Sequence, residues 1–243
     1  MSAPASAPPE SRSEHQQLYD TYRSTFKGDP HPIEPALMRE RYGRLLRRNL
    51  APGIDLGAGS GEFIEWLSVE GVNGVWGIDI SSEQVAAAAR LGRDVRHGDI
   101  ETMLRSVPDG SLQALFARDV LEHLDKPAVF HLAAEASRTL ASGGLFFVQV
   151  PNGYAVRSET VWAGDFTHVT LFSEDSLAQV MRSAGFSLLD VWGITPGKLT
   201  PLRLVRHLGW TLIKSLYMLV DIVESGRRVR VYERVLCASF QKQ

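Results

Sequence analysis

The chain has 243 residues, 44% of them hydrophobic and 22% charged, with a formal net charge of -2 at pH 7. That length can bury one good core and a small appendage, and the slight negative charge excludes a global positive field that would hold nucleic acid non-specifically. A single cysteine, Cys237, excludes an internal disulfide framework, suits a reducing cytoplasm and reads as a packing residue in its apolar run.

The opening residues, MSAPASAPPESRSE, lack the apolar core of a secretory signal, and their Ala, Pro and Ser content predicts a disordered tail over 1–14. Residues 15–50 read as an N-terminal helical segment with charged faces, broken near Gly28 to Pro32. From 51 to 243 a single domain is expected. No stretch reaches the roughly 18 uninterrupted apolar residues of a spanning helix, which places the chain in the cytoplasm, either free or peripheral to the inner membrane.

The period changes at GIDLG, which reads as a buried strand, and Glu62 to Val69 opens a helix at once. VWGIDI, Val75 to Ile80, is the second strand; the helix after it takes Ser82 as its N-cap and stops at Gly92. Asp94 to Ile100 predicts a short third strand, Leu112 to Asp119 a fourth and Gly144 to Asn152 a fifth. A helix over about Ala128 to Leu140 joins the last two. Late in the chain, FSLLDVWGI and VYERVLCASF are two more strand candidates, the second placed antiparallel at an edge. Strands alternating with helices predict an α/β fold: a doubly wound, mostly parallel sheet with a C-terminal helical insertion at 200–225.

The loop after the first strand is Gly57-Ala58-Gly59-Ser60-Gly61, immediately followed by Glu62. A dinucleotide fingerprint needs a small residue where Glu62 stands, and a P-loop needs Gly-Lys-Ser/Thr, which is missing. A carboxylate in the first helical turn also repels pyrophosphate. The loop therefore permits close approach of something without phosphate. Asp79 ends the second strand, where a carboxylate can accept from a ribose diol. Asp99 ends the third strand and can accept from an exocyclic amine, and Asp55 can orient an amino-acid headgroup through the loop. These acids describe a pocket for a nucleoside that carries an amino acid.

The ordered segments IDLGAGSG, GIDIS, HGDI, ALFARDVLEHL and LASGGLFFVQVPN resemble the class I S-adenosylmethionine-dependent methyltransferases from Gly53 through Asn152. That resemblance implies a Rossmann-like fold and S-adenosylmethionine as cofactor. It implies that Gly57, Ala58, Gly59 and Gly61 line the methionine portion, with Arg118 presenting backbone to the same end. Asp79 would hold the ribose, Ile80 would flank the adenine, and Asp99 with Ile100 would meet its edge. Aminopropyl transferases and non-catalytic relatives share the architecture; the Pro151-Asn152 pair after the fifth strand reads as equipment for a substrate.

The flanks add a subclass. YRSTFKGDPHPIEPALMRERY and VWAGDFTHVTLFSEDSLAQVMRSAGF resemble segments of bacterial methyltransferases associated with surface polysaccharides, with Lys27 in place of an arginine, Phe166 in place of a proline and Phe172-Ser173 in place of His-Pro. ARDV after the fourth strand is unlike the Asn/Asp-Pro-Pro-Tyr/Phe of amino-methylating DNA enzymes, and no Pro-Cys nucleophile or paired-glutamate loop is found. A hydroxyl acceptor remains: a sugar of a glycan or its precursor, or a quinone-like or natural-product small molecule. A SAM-binding subunit without activity of its own is the alternative from another class.

Oxygen methylation is an in-line displacement that needs the acceptor aligned and its proton taken. Histidine is the natural base at neutral pH. His168 in GDFTHVT is one candidate, with Asp165 three residues earlier as its orienting acid, and His123 in LEHL is the other. Asp119-x-x-Glu122-His123 resembles the hard-cation site of quinone-biosynthesis methyltransferases, but the reading adopted here is without a metal.

Between the last two strands, Val205, Leu208, Leu212, Leu216, Leu219 and Val223 fall on one helical face and Arg203, His207, Lys214 and Asp221 on the opposite one. The helix over 202–223 is either a wall packed on the domain or a surface element that touches a membrane or a second subunit.

Overall fold

A computed structural model describes Ser24 and residues 32–195, 200–226 and 228–243. The expected tail at 1–14, Lys27 and most of the helical segment before residue 32 lie outside the described residues. Seven strands form one sheet in the order β3-β2-β1-β4-β5-β7-β6. They are β1 (Gly53–Leu56), β2 (Val75–Asp79), β3 (Val95–His97), β4 (Leu112–Arg118), β5 (Leu140–Pro151), β6 (Phe186–Gly193) and β7 (Val235–Lys242). The first five are parallel; β7 runs antiparallel between β5 and β6. This is the doubly wound, mostly parallel sheet that the alternation of strands and helices predicts.

Two apolar layers sandwich the sheet. On one face lie α1 (Pro35–Tyr42), α2 (Glu62–Val69) and α3 (Ser82–Arg90), burying Tyr42, Phe63, Trp66, Leu67 and Ala88 against Phe116 and Phe147 of the strands. On the other lie α4 (Ile100–Ser106), α5 (Lys126–Thr139) and α7 (Glu174–Ser183), burying Leu104, Leu132, Ala136, Leu177 and Met181 against Leu115, Phe146 and Phe240. A four-residue α6 (Glu159–Trp162) interrupts the long connection after β5.

Several boundaries differ from expectation. The N-cap of α3 is Ser81, whose Oγ accepts from the Gln84 amide; Ser82 is the first helical residue. The third strand stops at His97, and Ile100 begins α4, with Asp99 as the N-cap accepting from the Thr102 amide at 2.8 Å. The competing force is local: an Asp that caps three residues ahead offers the backbone a helix instead of two more residues of edge ladder. The strand at the C-terminus is not an edge. Leu236 to Phe240 are all buried, and β7 pairs on both sides, leaving β6 outermost. A run apolar on both faces belongs in a sheet interior. Cys237 sits in that run, where burial pushes its thiol pKa well up, consistent with a packing role.

The insertion is α8 (Pro201–Ser225) between β6 and β7. Its ends follow local rules. The Thr200 hydroxyl accepts from the Arg203 amide, Pro201 opens the first turn, and Gly226 closes the helix at φ 66°. Its orientation on the domain is inverted relative to an ordinary amphipathic helix. The polar stripe faces the body: Trp210 Nε1 donates to Glu233 at 3.1 Å, Lys214 Nζ to Glu233 at 3.0 Å, and Arg203 pairs with Glu34. Tyr232 donates its hydroxyl to Asp221. The opposite apolar stripe is exposed, and no residue of α8 is buried.

Candidate functional site

The carboxyl ends of β1, β2 and β4 meet at the glycine loop. Gly57, Gly59 and Gly61 all have positive φ, at 66°, 58° and 80°. At Gly57 a side chain is excluded twice over, because a Cβ would stand 2.5 Å from Val120 Cγ2. At Gly59 the space is open, with nothing nearer than 4.0 Å, so that position is left clear for a bound molecule to approach the backbone. Ala58 is different: it is buried, its amide donates to the Ile78 carbonyl, and its methyl is the atom a Cβ on Gly77 would strike. It packs the loop onto β2.

Asp79 closes β2. Its Oδ2 accepts from the Gly59 amide at 2.7 Å and its Oδ1 from the Ser81 amide at 2.8 Å. These two bonds fix the direction in which the carboxylate points. Ile80, half-buried, follows directly, and its carbonyl is pinned by His97 Nε2 at 3.0 Å. Asp99 and Ile100 stand at the mouth of β3, Asp99 exposed and Ile100 half-buried.

Beneath the loop, Asp55 is 0% exposed. Burial raises its pKa to about 6 against the opposing pull of Arg118, whose Nη2 lies 3.3 Å away. Arg118 also covers the Phe63 ring at 4.4 Å. Its guanidinium is thus committed to the floor of the site, and Asp55 Oδ1 is buried with no hydrogen-bond partner among the described residues. A second arginine, Arg93, braces the loop from outside; its Nη1 donates to the Ser60 carbonyl at 2.7 Å and it pairs with Glu65. Nothing in the sequence spacing singles Arg93 out, since it acts across the fold from the turn after α3.

The two candidate histidines come together, their ring centroids 5.0 Å apart. His123 ends a 3-10 turn (Leu121–His123) after β4, and His168 sits in the loop after α6. The Val169 and Thr170 amides donate to the Glu122 carbonyl, and the Thr170 hydroxyl donates to the Leu124 carbonyl, strapping that loop against the turn. Asp165 orients the other histidine than expected. It accepts from the Thr167 hydroxyl at 2.6 Å, and Thr167 Oγ1 lies 2.8 Å from His123 Nδ1. With its proton given to Asp165, Thr167 accepts from His123 Nδ1–H, which places the lone pair of that ring on Nε2. His168 is set by a backbone carbonyl instead, its Nδ1 lying 3.0 Å from Trp162 O. Burial, and then His168, lower the His123 pKa, keeping that imidazole neutral at physiological pH. Thr167 is the member of this cluster that the sequence reading did not single out; the Asp-x-Thr spacing of a local turn is its signal.

Donor atoms of Glu122, His123 and His168 lie within 4.8 Å of one another, a group that could hold a metal ion. The spacing-based trio with Asp119 does not form in that manner: Asp119, at φ 56°, instead receives Gln149 Nε2 on its carboxylate at 3.0 and 3.1 Å. Asn152 is also structural. It is buried, donating to the Val231 and Glu233 carbonyls and accepting from the Tyr154 amide, and so ties the exit of β5 to the approach to β7.

A family model described as a methyltransferase domain matches residues 33–191. The chain belongs to that family. A Mycolicibacterium smegmatis protein whose name reads "Probable S-adenosylmethionine-dependent methyltransferase" is 30% identical over 159 residues, 64% of this chain and 60% of the relative. The methyltransferase thus matches less than two thirds of that relative's length. Among solved structures, an S-adenosylmethionine-dependent methyltransferase from Archaeoglobus fulgidus superposes with a TM-score of 0.66 at 19% identity, covering 93% of this chain and 99% of its own. The 1,6-didemethyltoxoflavin-N1-methyltransferase of Burkholderia thailandensis, solved with bound 1,6-didemethyltoxoflavin and S-adenosylhomocysteine, gives 0.57 at 18% identity over 100% of this chain and 93% of that one. At these identities the structural likeness shows the fold alone.

The domain is of the class I methyltransferase type, whose cofactor is S-adenosylmethionine. Its residues fit that group: an open cradle at Gly59 and a strand-end carboxylate at Asp79.

Proposed function

We propose that this methyltransferase transfers the methyl group of S-adenosylmethionine to a hydroxyl oxygen, with an imidazole of the His123–His168 pair taking the proton. The observation that carries the reading is the Asp165–Thr167–His123 relay, which fixes one tautomer and leaves Nε2 as the basic atom on the cofactor side of the sheet. The cofactor supplies an electrophilic methyl on a sulfonium. The chain's own part is alignment and proton removal. Asp79 holds the ribose diol, Gly57, Gly59 and Gly61 admit the methionine portion, and Asp99 with Ile100 meets the adenine edge. Asp55 and Arg118, paired in the floor, keep the loop in register.

For the acceptor we propose a sugar hydroxyl of a bacterial glycan or its precursor. Phe166, 96% exposed two residues before His168, offers an aromatic face of the kind polar rings rest on. A second reading rests on the Glu122, His123 and His168 group: a divalent cation there would lower the hydroxyl's pKa in place of a free base. Methyl-labelled S-adenosylmethionine incubated with fractionated cell extract tests both. Label in the polysaccharide or lipid-linked glycan fraction, lost in Asp79→Ala and reduced about 100-fold or more in His123→Ala or His168→Ala, is the expected result. Label in small apolar molecules, abolished by a chelator, would replace the acceptor and favour the metal. No label in any fraction would overturn the catalytic reading in favour of a cofactor-binding subunit.

A further inference from the structure

We propose that α8 lies flat on an anionic lipid surface with its apolar face down, holding the enzyme at a membrane as a peripheral protein. This goes beyond the methyl-transfer reading and does not depend on it.

The helix is fixed to the body by one narrow stripe. At 100° per residue, Arg203, His207, Trp210, Lys214 and Asp221 fall within about 60° of arc, and four of them reach Glu34, Glu233 or Tyr232. Glu233 is nearly buried; burial alone would raise its pKa, but the bonds from Trp210 and Lys214 outweigh that and hold it below the usual range. The charge that receives the helix is therefore ionised. With the polar stripe committed inward, the apolar stripe must point out.

That outward face is wide and unbroken. Val205, Leu208, Leu212, Leu216, Leu219 and Val223 are each more than half exposed, and Leu202, Leu204, Ile213, Val220 and Ile222 widen the band. Together they occupy about 180° of a helix roughly 37 Å long, with no charged side chain inside the arc. Patches of this extent on a soluble surface mark an interaction site. The two hydroxyls at its margin need no water, because Thr211 donates to the His207 carbonyl and Ser215 to the Thr211 carbonyl, both at 2.9 Å.

Charge selects the occupant. Residues 201–230 hold six Lys and Arg against two acids, in a chain whose net charge is -2, and three of the six are paired with acids of the body: Arg203 with Glu34, Lys214 with Glu233 and Arg230 with Glu174. Arg206 borders the apolar arc and Arg228 follows the helix, both exposed, with Glu224 the one exposed acid of α8. Exposed arginines beside a wide apolar face are the pattern of an interfacial helix on anionic lipid, whereas a second copy would bring its own arginines to the same contact. No described helix is long and apolar enough to cross a membrane, and α8 is tethered along its length, so it lies on the surface and does not span it.

Flotation of the full chain with vesicles of phosphatidylcholine, alone or with one third phosphatidylglycerol, is the test. The enzyme should float with the anionic vesicles, float far less with the neutral ones, and be released progressively by salt. Leu212→Asp with Leu219→Asp should weaken binding by more than tenfold. Its thermal unfolding and S-adenosylmethionine binding should stay unchanged, since both residues are exposed. Arg206→Glu with Arg228→Glu should weaken binding to the anionic vesicles only. Absence of flotation with anionic vesicles would overturn the proposal. So would a dimer in light scattering that the double Leu variant converts to monomer while vesicles leave the wild type unbound, because the face would then belong to a second copy. Methyl transfer is not part of the readout, so either result leaves the catalytic proposal standing or falling on its own test.

Discussion

At the glycine loop and at α8 this chain solves opposite problems with the same kinds of residue. Around the loop, buried acids serve backbone and neighbouring arginines: Asp79 orders the Gly59 and Ser81 amides, and Asp55 pairs with Arg118 under Phe63. Apolar side chains there point inward and close the floor. Along α8 a nearly buried acid, Glu233, draws polar side chains inward and so turns the leucines out. The difference shows that a few well-placed hydrogen bonds to a buried charge can decide which face of a helix docks, against the ordinary preference for burying the apolar one. The hydrophobic term that stabilises the first region remains to be collected by the second.

The largest contrast should come from leucines. Leu177→Ala, fully buried in α7, should cost about 2–5 kcal/mol in chemical denaturation. Gly57→Ala should follow at about 3 kcal/mol, combining left-handed backbone strain with the contact at Val120. Gly59→Ala should cost only about 1 kcal/mol in stability, since its Cβ meets nothing nearer than Gln84 at 4.0 Å, yet calorimetry should show weakened S-adenosylmethionine binding if the proposed cofactor site takes that space. A Gly59→Ala protein that binds as tightly as wild type would remove this glycine from the cofactor site.

Glu233→Gln should loosen α8 at a cost of about 2 kcal/mol, with faster amide hydrogen exchange along the helix and little change at β1 or β4. Uniform protection in the variant would show that Glu233 does not anchor it. The pH dependence separates the regions as well. His123 has a pKa below its ordinary 6.5, so the unfolded chain takes up this proton first. Stability should therefore decline as pH falls below about 6.5 and level off once the folded imidazole is itself protonated; activity should fall only at that lower pH, where the folded base takes up the proton. His123→Gln should abolish its share of the stability change. The smallest effect is expected at Leu212→Ser, within about 0.5 kcal/mol of wild type, because this leucine is already 65% exposed.

Much of the site was legible because it is encoded locally. A glycine needed at positive φ, an acid at a strand end and a strand-to-helix turn each occupy a few consecutive residues, and the elements from β1 to β5 alternate regularly. Where two local rules competed, boundaries shifted: Asp99 capped α4 and shortened β3, and Ser81 displaced Ser82 as cap. The partners of the catalytic candidates lay further apart. Asp165 and His168 are neighbours in sequence, but the acid reaches His123 through Thr167 across a separation that only the strap onto Glu122 closes.

By itself the sequence determined the sheet's parallel half, the glycine loop, the strand-end acids and the amphipathic character of α8, since each follows from backbone sterics and periodicity over a single element. The tertiary structure alone decided that β7 lies inside the sheet, that Arg118 and Arg93 brace the loop from two sides, that Asp165 serves His123, and that α8 docks by its polar stripe. Each of those depends on which groups meet from distant parts of the chain. Periodicity can say that a helix has two faces; only the charge waiting on the body, here Glu233, says which face goes in.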